Sequence, residues 1–341
     1  MKKIIILVII CFLLGGCYDY QELNDLSLVS GIGIDYIDDE YVVNFEIIES
    51  IKEGSSTTIK QKIVKGKDKD LAEAFNKAMK NSNKKVYMEH VKVLIYSEEM
   101  AKKGILNSID YIVRNTHIST NYKMVTTKNI DDLLGVNLEN DVVSNVIVET
   151  INYGINSKNA DNVDIKASYL LTKSKSISLP YVEVVENKIK IDKVAVFKDD
   201  QMFNIENDRI YEFLILDSDN CIFEADGSSV NIYQKEVKYE VKDDESIKIN
   251  LSGFGKIMQI NNEMDLADKN TYKKLEEMIN EKIKEELTKY IKEKLDNNID
   301  VLGLKDLYYK KKKEKVDNIN FDVIVDVKIN QNGSLFGVLH E

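Results

Sequence analysis

TYKKLEEMINEKIKEELTKYIKEKL, residues 271–295, is the stretch that decides the C-terminal half of the fold. Leu275, Ile279, Ile283, Leu287, Ile291 and Leu295 recur every four residues, and Lys and Glu dominate the remaining positions. An apolar stripe at that spacing lies along one face of an α-helix, so the segment reads as one long amphipathic helix. Glu285 and Lys289 form a favourable i,i+4 pair, whereas Glu281 and Glu285 repel. Such a helix has to bury its stripe against another layer. Val230 to Val241 and Ser246 to Ile260 read as two long strands joined at Lys242-Asp-Asp-Glu245, and Phe321 to Ile329 (FDVIVDVKI) alternates cleanly. Leu304 to Lys313, after Gly303, reads as a shorter helix. The prediction is an α+β unit with one long helix packed on an antiparallel sheet.

Upstream the pattern is mixed. Tyr41 to Ile48 alternates as a half-buried strand, and Val86 to Tyr96 (VYMEHVKVLIY) is apolar enough for a central one. Between them Leu71, Ala72, Phe75, Ala78 and Met79 share a helical face, with Asp68 as the expected N-cap. Ser97 caps a second helix carrying Glu98 and Glu99 in its first turn, and that helix breaks near Gly104. Tyr122 to Thr127 reads as a short strand. Asn129 to Leu134, Asp141 to Tyr153 and Val163 to Thr172 read as helices. Gly31-x-Gly33 lacks a third glycine and leads into a strand, so it marks close backbone packing and not a dinucleotide loop.

Pro180, the only proline, follows the polar run Thr172 to Ser176 and sets a boundary. Beyond it Tyr181–Val185, Ile189–Phe197 and Ile210–Leu216 look like strands, with Asp199-Asp200 as a turn. The chain therefore reads as multi-domain α+β with mixed and antiparallel sheets. Residues 1–16 are a leader, 17–178 an N-terminal α+β domain, 179–222 a small strand-rich middle domain, and 223–341 the C-terminal α+β domain.

The leader begins MKKIIILVIICFLLGGCYDY. Lys2 and Lys3 precede an apolar run from Ile4 to Leu14 that closes on Gly15 and Gly16. That run is about half of the roughly 20 residues a membrane-crossing helix needs. Leu14-Gly15-Gly16-Cys17 resembles the lipobox of bacterial lipoproteins, in which the cysteine is diacylated and becomes the first residue after cleavage. Two acyl chains anchor a protein stably where one is marginal. Loss of Lys2 and Lys3 takes the net charge from −11 to −13. Such a surface is repelled by anionic lipid and by nucleic acid, so no nucleic-acid partner is expected and the tether has to be covalent.

No catalytic constellation is legible. His90, His117 and His340 show no metal-ligand spacing and have no cysteine partner, which argues against zinc. Cys11 leaves with the leader and Cys17 is acylated, so Cys221 is the single free thiol and no intramolecular disulfide can form. In its apolar surroundings Cys221 reads as a small core residue. Asp217-Ser-Asp219-Asn-Cys221 starts like a calcium loop but has Ile222 where glycine is needed and Ser228 where the bidentate glutamate belongs. Lys310–Lys313 with Lys315 reads as a solvated face. A non-enzymatic extracytoplasmic binding or assembly protein without a cofactor is the outcome.

The stretch from Cys17 to Asp35, Gly66-Lys67 with the helix after it, His90-Val-Lys-Val93 and Glu98-Glu-Met-Ala-Lys-Lys-Gly-Ile105 are similar to the Ger(x)C family, the lipoprotein C subunits of spore germinant receptors. So are Leu179-Pro180, Ala195-Val-Phe-Lys198, and the long helix with its closing strand. The chain departs at Arg114-Asn115-Thr116, where the family has an R-D-x-E-like stretch, and at Leu302-Gly-Leu-Lys305, which lacks the family's tryptophan. The resemblance implies a three-domain α+β protein on the outer face of the spore inner membrane, held by the lipid on Cys17. Integral-membrane A and B subunits are the implied partners, and Cys17 is the one functional position that carries over. The competing reading is a solute-binding lipoprotein of a transporter, which would show two βαβ lobes around a cleft.

Overall fold

The structure is a computed structural model describing residues 26–329 apart from 54–55, 115–117, 119–121, 154–175, 208–215, 217–220, 262–263 and 265–268. Cys17, His117, His340, the helix expected at 163–172 and most of the strand expected at 210–216 lie outside the described residues. The described chain is α+β, with two sheets and seven helices.

The first sheet has nine strands in the order β3-β2-β1-β5-β6-β7-β8-β9, with β4 also paired to β1. β1 (Leu26–Ile37), β2 (Glu40–Glu53) and β3 (Ser56–Asp68) form an antiparallel meander. β4 (Lys85–Tyr87), β5 (Val93–Ser97), β6 (Lys123–Thr127) and β7 (Ser178–Val185) build a parallel centre. β8 (Lys188–Lys198) and β9 (Gln201–Asn207) return antiparallel. The Asp38-Asp39, Glu186-Asn187 and Asp199-Asp200 hairpin turns all take positive φ at both residues, the twist that tight antiparallel connections require.

Parallel neighbours need crossovers, and here helices supply them. α1 (Leu71–Lys80), α2 (Glu98–Lys103) and α3 (Leu106–Arg114) cover one face, burying Phe75, Ala78, Met100 and Ile109 against Ile32, Ile34, Phe45, Leu94 and Tyr96. α4 (Ile130–Leu134) and α5 (Val143–Tyr153) cover the other, where Ile130, Leu133, Val143 and Ile147 meet Val93, Ile95 and Val125. Ser97 caps α2 by accepting from the Met100 amide at 3.1 Å, and Gly104 ends that helix at φ 119°. The cap of α1 is Asp70 and not the expected Asp68: Asp70 accepts from the Glu73 amide, while Asp68 pairs with Lys77.

Val86 to Tyr96 is not one strand. β4 and β5 both lie beside β1, but three more residues separate them than separate their partners on β1, and the surplus turns outward at Glu89-His90. His90 thus sits exposed in a turn, its ring 5.5 Å from that of Tyr87, and not within a sheet.

Residues 178–207 do not form a sheet of their own. β7 hydrogen-bonds to β6, so the boundary expected at 178 falls inside the first sheet. Pro180 is tolerated there because the β6–β7 ladder begins one residue later, at Thr126–Tyr181. A break at 222 would likewise cut β10 (Cys221–Ala225), which belongs to the second sheet.

That sheet runs β10-β11-β12-β13, with β11 (Ser228–Val241), β12 (Ser246–Gln259) and β13 (Asn320–Ile329). Its backing helix, α6 (Lys269–Asp296), spans 28 residues, about 42 Å at 1.5 Å per residue. Leu275, Ile279, Ile283 and Leu287 are fully buried, facing Ile247, Ile249, Leu251, Val323 and Val327. The i,i+4 pairs that form are Lys273–Glu277 and Lys282–Glu286, in place of the expected Glu285–Lys289. One strand direction differs from expectation: β13 runs parallel to β12. The helix between them acts as a crossover and returns the chain to the end where β12 began. α7 (Leu304–Lys312) follows, its first amides at Leu304 and Lys305 bonded to the Asp300 carboxylate at 2.8 and 2.9 Å.

Candidate functional site

Among the described residues no three His, Cys, Asp or Glu side chains come close enough to hold a metal ion. Cys221 is buried, and burial pushes its thiol pKa up, which suits a core residue and not a nucleophile. No described helix is long and apolar enough to cross a membrane.

Cys17 precedes the described residues. Nine peptide steps separate it from Leu26, so the two residues can lie at most about 30 Å apart. Lys80, Lys84, Lys85 and Lys92 are exposed around the end where β1 begins.

The most elaborate polar arrangement was not anticipated. On β2, Glu46 is fully buried and faces α5. Its carboxylate accepts from the Ser144 amide at 3.0 Å, from the Ser144 hydroxyl, and from Ser30 Oγ at 2.8 Å. Ser144 lies in the first turn of α5, so a buried carboxylate meets the positive end of a helix. Burial raises the Glu46 pKa above its ordinary value, against the lowering pull of these bonds.

The glycines explain how the carboxylate fits. Gly31 and Gly33 lie opposite Glu46 and Asn44 in the β1–β2 ladder. A Cβ on Gly31 would come within 2.2 Å of Ser144 Oγ, and one on Gly33 within 2.8 Å of Ile130 Cγ2. The Gly-x-Gly pair therefore lets α4 and α5 approach the sheet, as the sequence suggested. The cross-strand pairing of glycine with a polar residue was the available signal for Glu46.

Beside it, Gln61 on edge strand β3 clamps the loop into α5, donating to Leu134 O at 2.5 Å and accepting from the Val143 amide at 3.3 Å. An open groove of about 560 Å³ runs along this contact, lined among others by Thr58, Lys60, Asn137 and Asp141. Its polar lining also includes Gln61, Glu139 and Asn140.

A second polar seam joins the sheets. The last turns of α6 meet β7–β9 through Tyr290 OH to Ser178 Oγ at 2.8 Å, Lys294 to Glu206, and Lys198 Nζ to Asn297 O at 3.2 Å. Lys294 is only 5% exposed, and its ammonium lies 4.9 Å from the centre of the Tyr290 ring.

Two family models match the sequence in succession. The family model for the spore germination protein N-terminal domain matches residues 19–184, and that for the spore germination B3/GerAC-like C-terminal domain matches 192–333. The two matches meet at the β7–β8 hairpin. Spore germination protein A3 of Bacillus subtilis (strain 168) is 29% identical over 58% of this chain and 56% of its own length, so this chain spans little more than half of that relative. Spore germination protein GerQC of Bacillus cereus is 22% identical over 98% of this chain and 99% of its own. A solved structure, the crystal structure of the GerBC protein, covers 91% of this chain and 99% of that one, at 14% identity and a TM-score of 0.46. With both family models matching in order across almost the whole described chain, the protein belongs to the GerAC family of spore germination proteins.

Proposed function

We propose that this chain is the lipid-anchored subunit of a nutrient germinant receptor, held by a diacylated Cys17 on the outer face of the spore inner membrane. There it supports receptor assembly or signalling beside integral-membrane A and B subunits and performs no bond chemistry. The observation that carries the reading is the order along the chain. A short apolar leader ends in Leu14-Gly15-Gly16-Cys17, and the family match starts two residues later and runs to 333. A body of net charge −13 without its leader has no affinity of its own for an anionic bilayer, so the acyl chains are what would hold it there.

The test is Cys17→Ala in the native organism, read by incorporation of labelled fatty acid, by membrane fractionation of spores and by germination with nutrients. The variant is expected to take up no label, to be depleted from the mature membrane-bound receptor pool and to respond weakly to nutrients. Full nutrient response with normal receptor abundance would refute the proposal. The solute-binding alternative finds less support, because the described groove lies along one sheet edge and not between two lobes. A thermal-shift screen with amino acids and sugars separates the two, since a tightly held solute raises stability by mass action.

A further inference from the structure

We propose that the seam between the end of α6 and strands β7–β9 is a latch that makes the two sheets respond as one body, with the buried Lys294–Glu206 pair as its orienting element. Three kinds of contact converge there from one helix end: the hydroxyl pair Tyr290–Ser178, the ion pair Lys294–Glu206, and Lys198 on the carbonyl of Asn297 just beyond the helix. They carry the second sheet's backing helix onto strands of the first sheet. Elsewhere α6 is occupied with its own sheet, burying Leu275, Ile279, Ile283 and Leu287.

The chemistry of the seam favours orientation over adhesion. The side chains of Lys294 and Glu206 are 6% and 16% exposed, so both charges have lost most of their water. Glu206 Oε2 is buried with no hydrogen-bond partner, so the carboxylate is only half satisfied. Apolar residues would hold two surfaces together at least as well, because a buried ion pair repays its desolvation only when its geometry is right. What it does add is selectivity: any sliding of α6 along β8–β9 leaves two charges buried and unpaired, whereas an apolar contact tolerates slippage. Lys294 also stacks on Tyr290, whose hydroxyl is fixed by Ser178, so the two polar contacts constrain each other. A contact made on the first sheet is therefore felt by the second through the position of one helix end.

Hydrogen exchange on the full-length protein tests this with Gly66→Ala as the perturbation, a change confined to the far edge of the first sheet. In an otherwise native chain, exchange of the slowest amides of β11 and β12 is expected to quicken by the same factor as that of β1 and β5. With Lys294→Met and Glu206→Leu together, the same glycine change should quicken exchange in the first sheet only. Tyr290→Phe, which deletes a single hydroxyl, should give partial uncoupling and serves if the paired variant does not fold. Insensitivity of β11 and β12 to Gly66→Ala in the native background would overturn the latch. Equal propagation with and without the polar seam would overturn it as well, by showing that the apolar contact alone does the coupling.

Discussion

Gly66→Ala is the most demanding test of the packing described above. Gly66 lies on β3 beneath α1, and a Cβ built there would sit 2.1 Å from Ala74 O, 2.2 Å from Ala78 N and 2.9 Å from Lys77 C. All three atoms are backbone, so no side chain can turn aside. Restoring ordinary contact at about 3.4 Å requires α1 to move by more than 1 Å, which lifts Phe75 and Ala78 from full burial. Overpacking a core costs typically 1–3 kcal/mol, and the immobility of the obstructing atoms puts this site at the upper end. Alanine returns about 0.4–1 kcal/mol by restricting the unfolded chain. The net expectation is a loss of about 2 kcal/mol, or roughly 4–8 °C in the melting of the first sheet. Gly253→Ala on β12 is the control, since its Cβ would meet nothing closer than 3.4 Å. Urea unfolding of both variants should show a lowered midpoint for Gly66→Ala and little change for Gly253→Ala. Equal midpoints for the two variants would refute the argument that α1 rests on a bare backbone.

Glu46→Gln should reveal the buried carboxylate through pH. Burial raises the folded-state pKa of Glu46 above its ordinary value, so its contribution is complete below the unfolded value and is lost as pH rises through the folded one. Urea midpoints measured from about pH 4 to pH 8 should therefore move in favour of the glutamine variant as pH rises, then level off; a constant difference would contradict this. Asp300→Ala removes the acceptor for two amides of α7 and should cost about 1–2 kcal/mol, with exchange in α7 accelerating more than in α6. Unchanged α7 protection would mean that the cap contributes nothing.

The long helix was legible because a single period runs through all of it, and the strands flanking it because alternation is equally regular. The direction of β13 was not, since alternation is identical in parallel and antiparallel pairing. Val86 to Tyr96 misled for a related reason: β4 and β5 are both apolar, and nothing in their composition marks the outward turn at Glu89-His90. The polar run before Pro180 suggested a domain boundary, but a proline breaks a ladder only where its missing amide is needed. As for Glu46, alternation assigns a residue to a face without saying whether that face is covered. The glycines opposite it, placed by register and not by sequence distance, carried that information.

The parallel pairing of β12 with β13 also constrains the order in which this protein can come together. Ser246 meets Asn320 and Gly255 meets Ile329, so the partners along this ladder lie 74 residues apart. Contacts at such separation form late, because a long loop must close before they return anything. The meander of β1–β3 can assemble from adjacent segments, whereas β12 waits with one edge open until β13, the last described strand, arrives. That interval is when a neighbouring chain's strand could take β13's place. Asp322, Asp326 and Lys328 on β13 are charges of the kind that blunt such an exchange at a sheet edge.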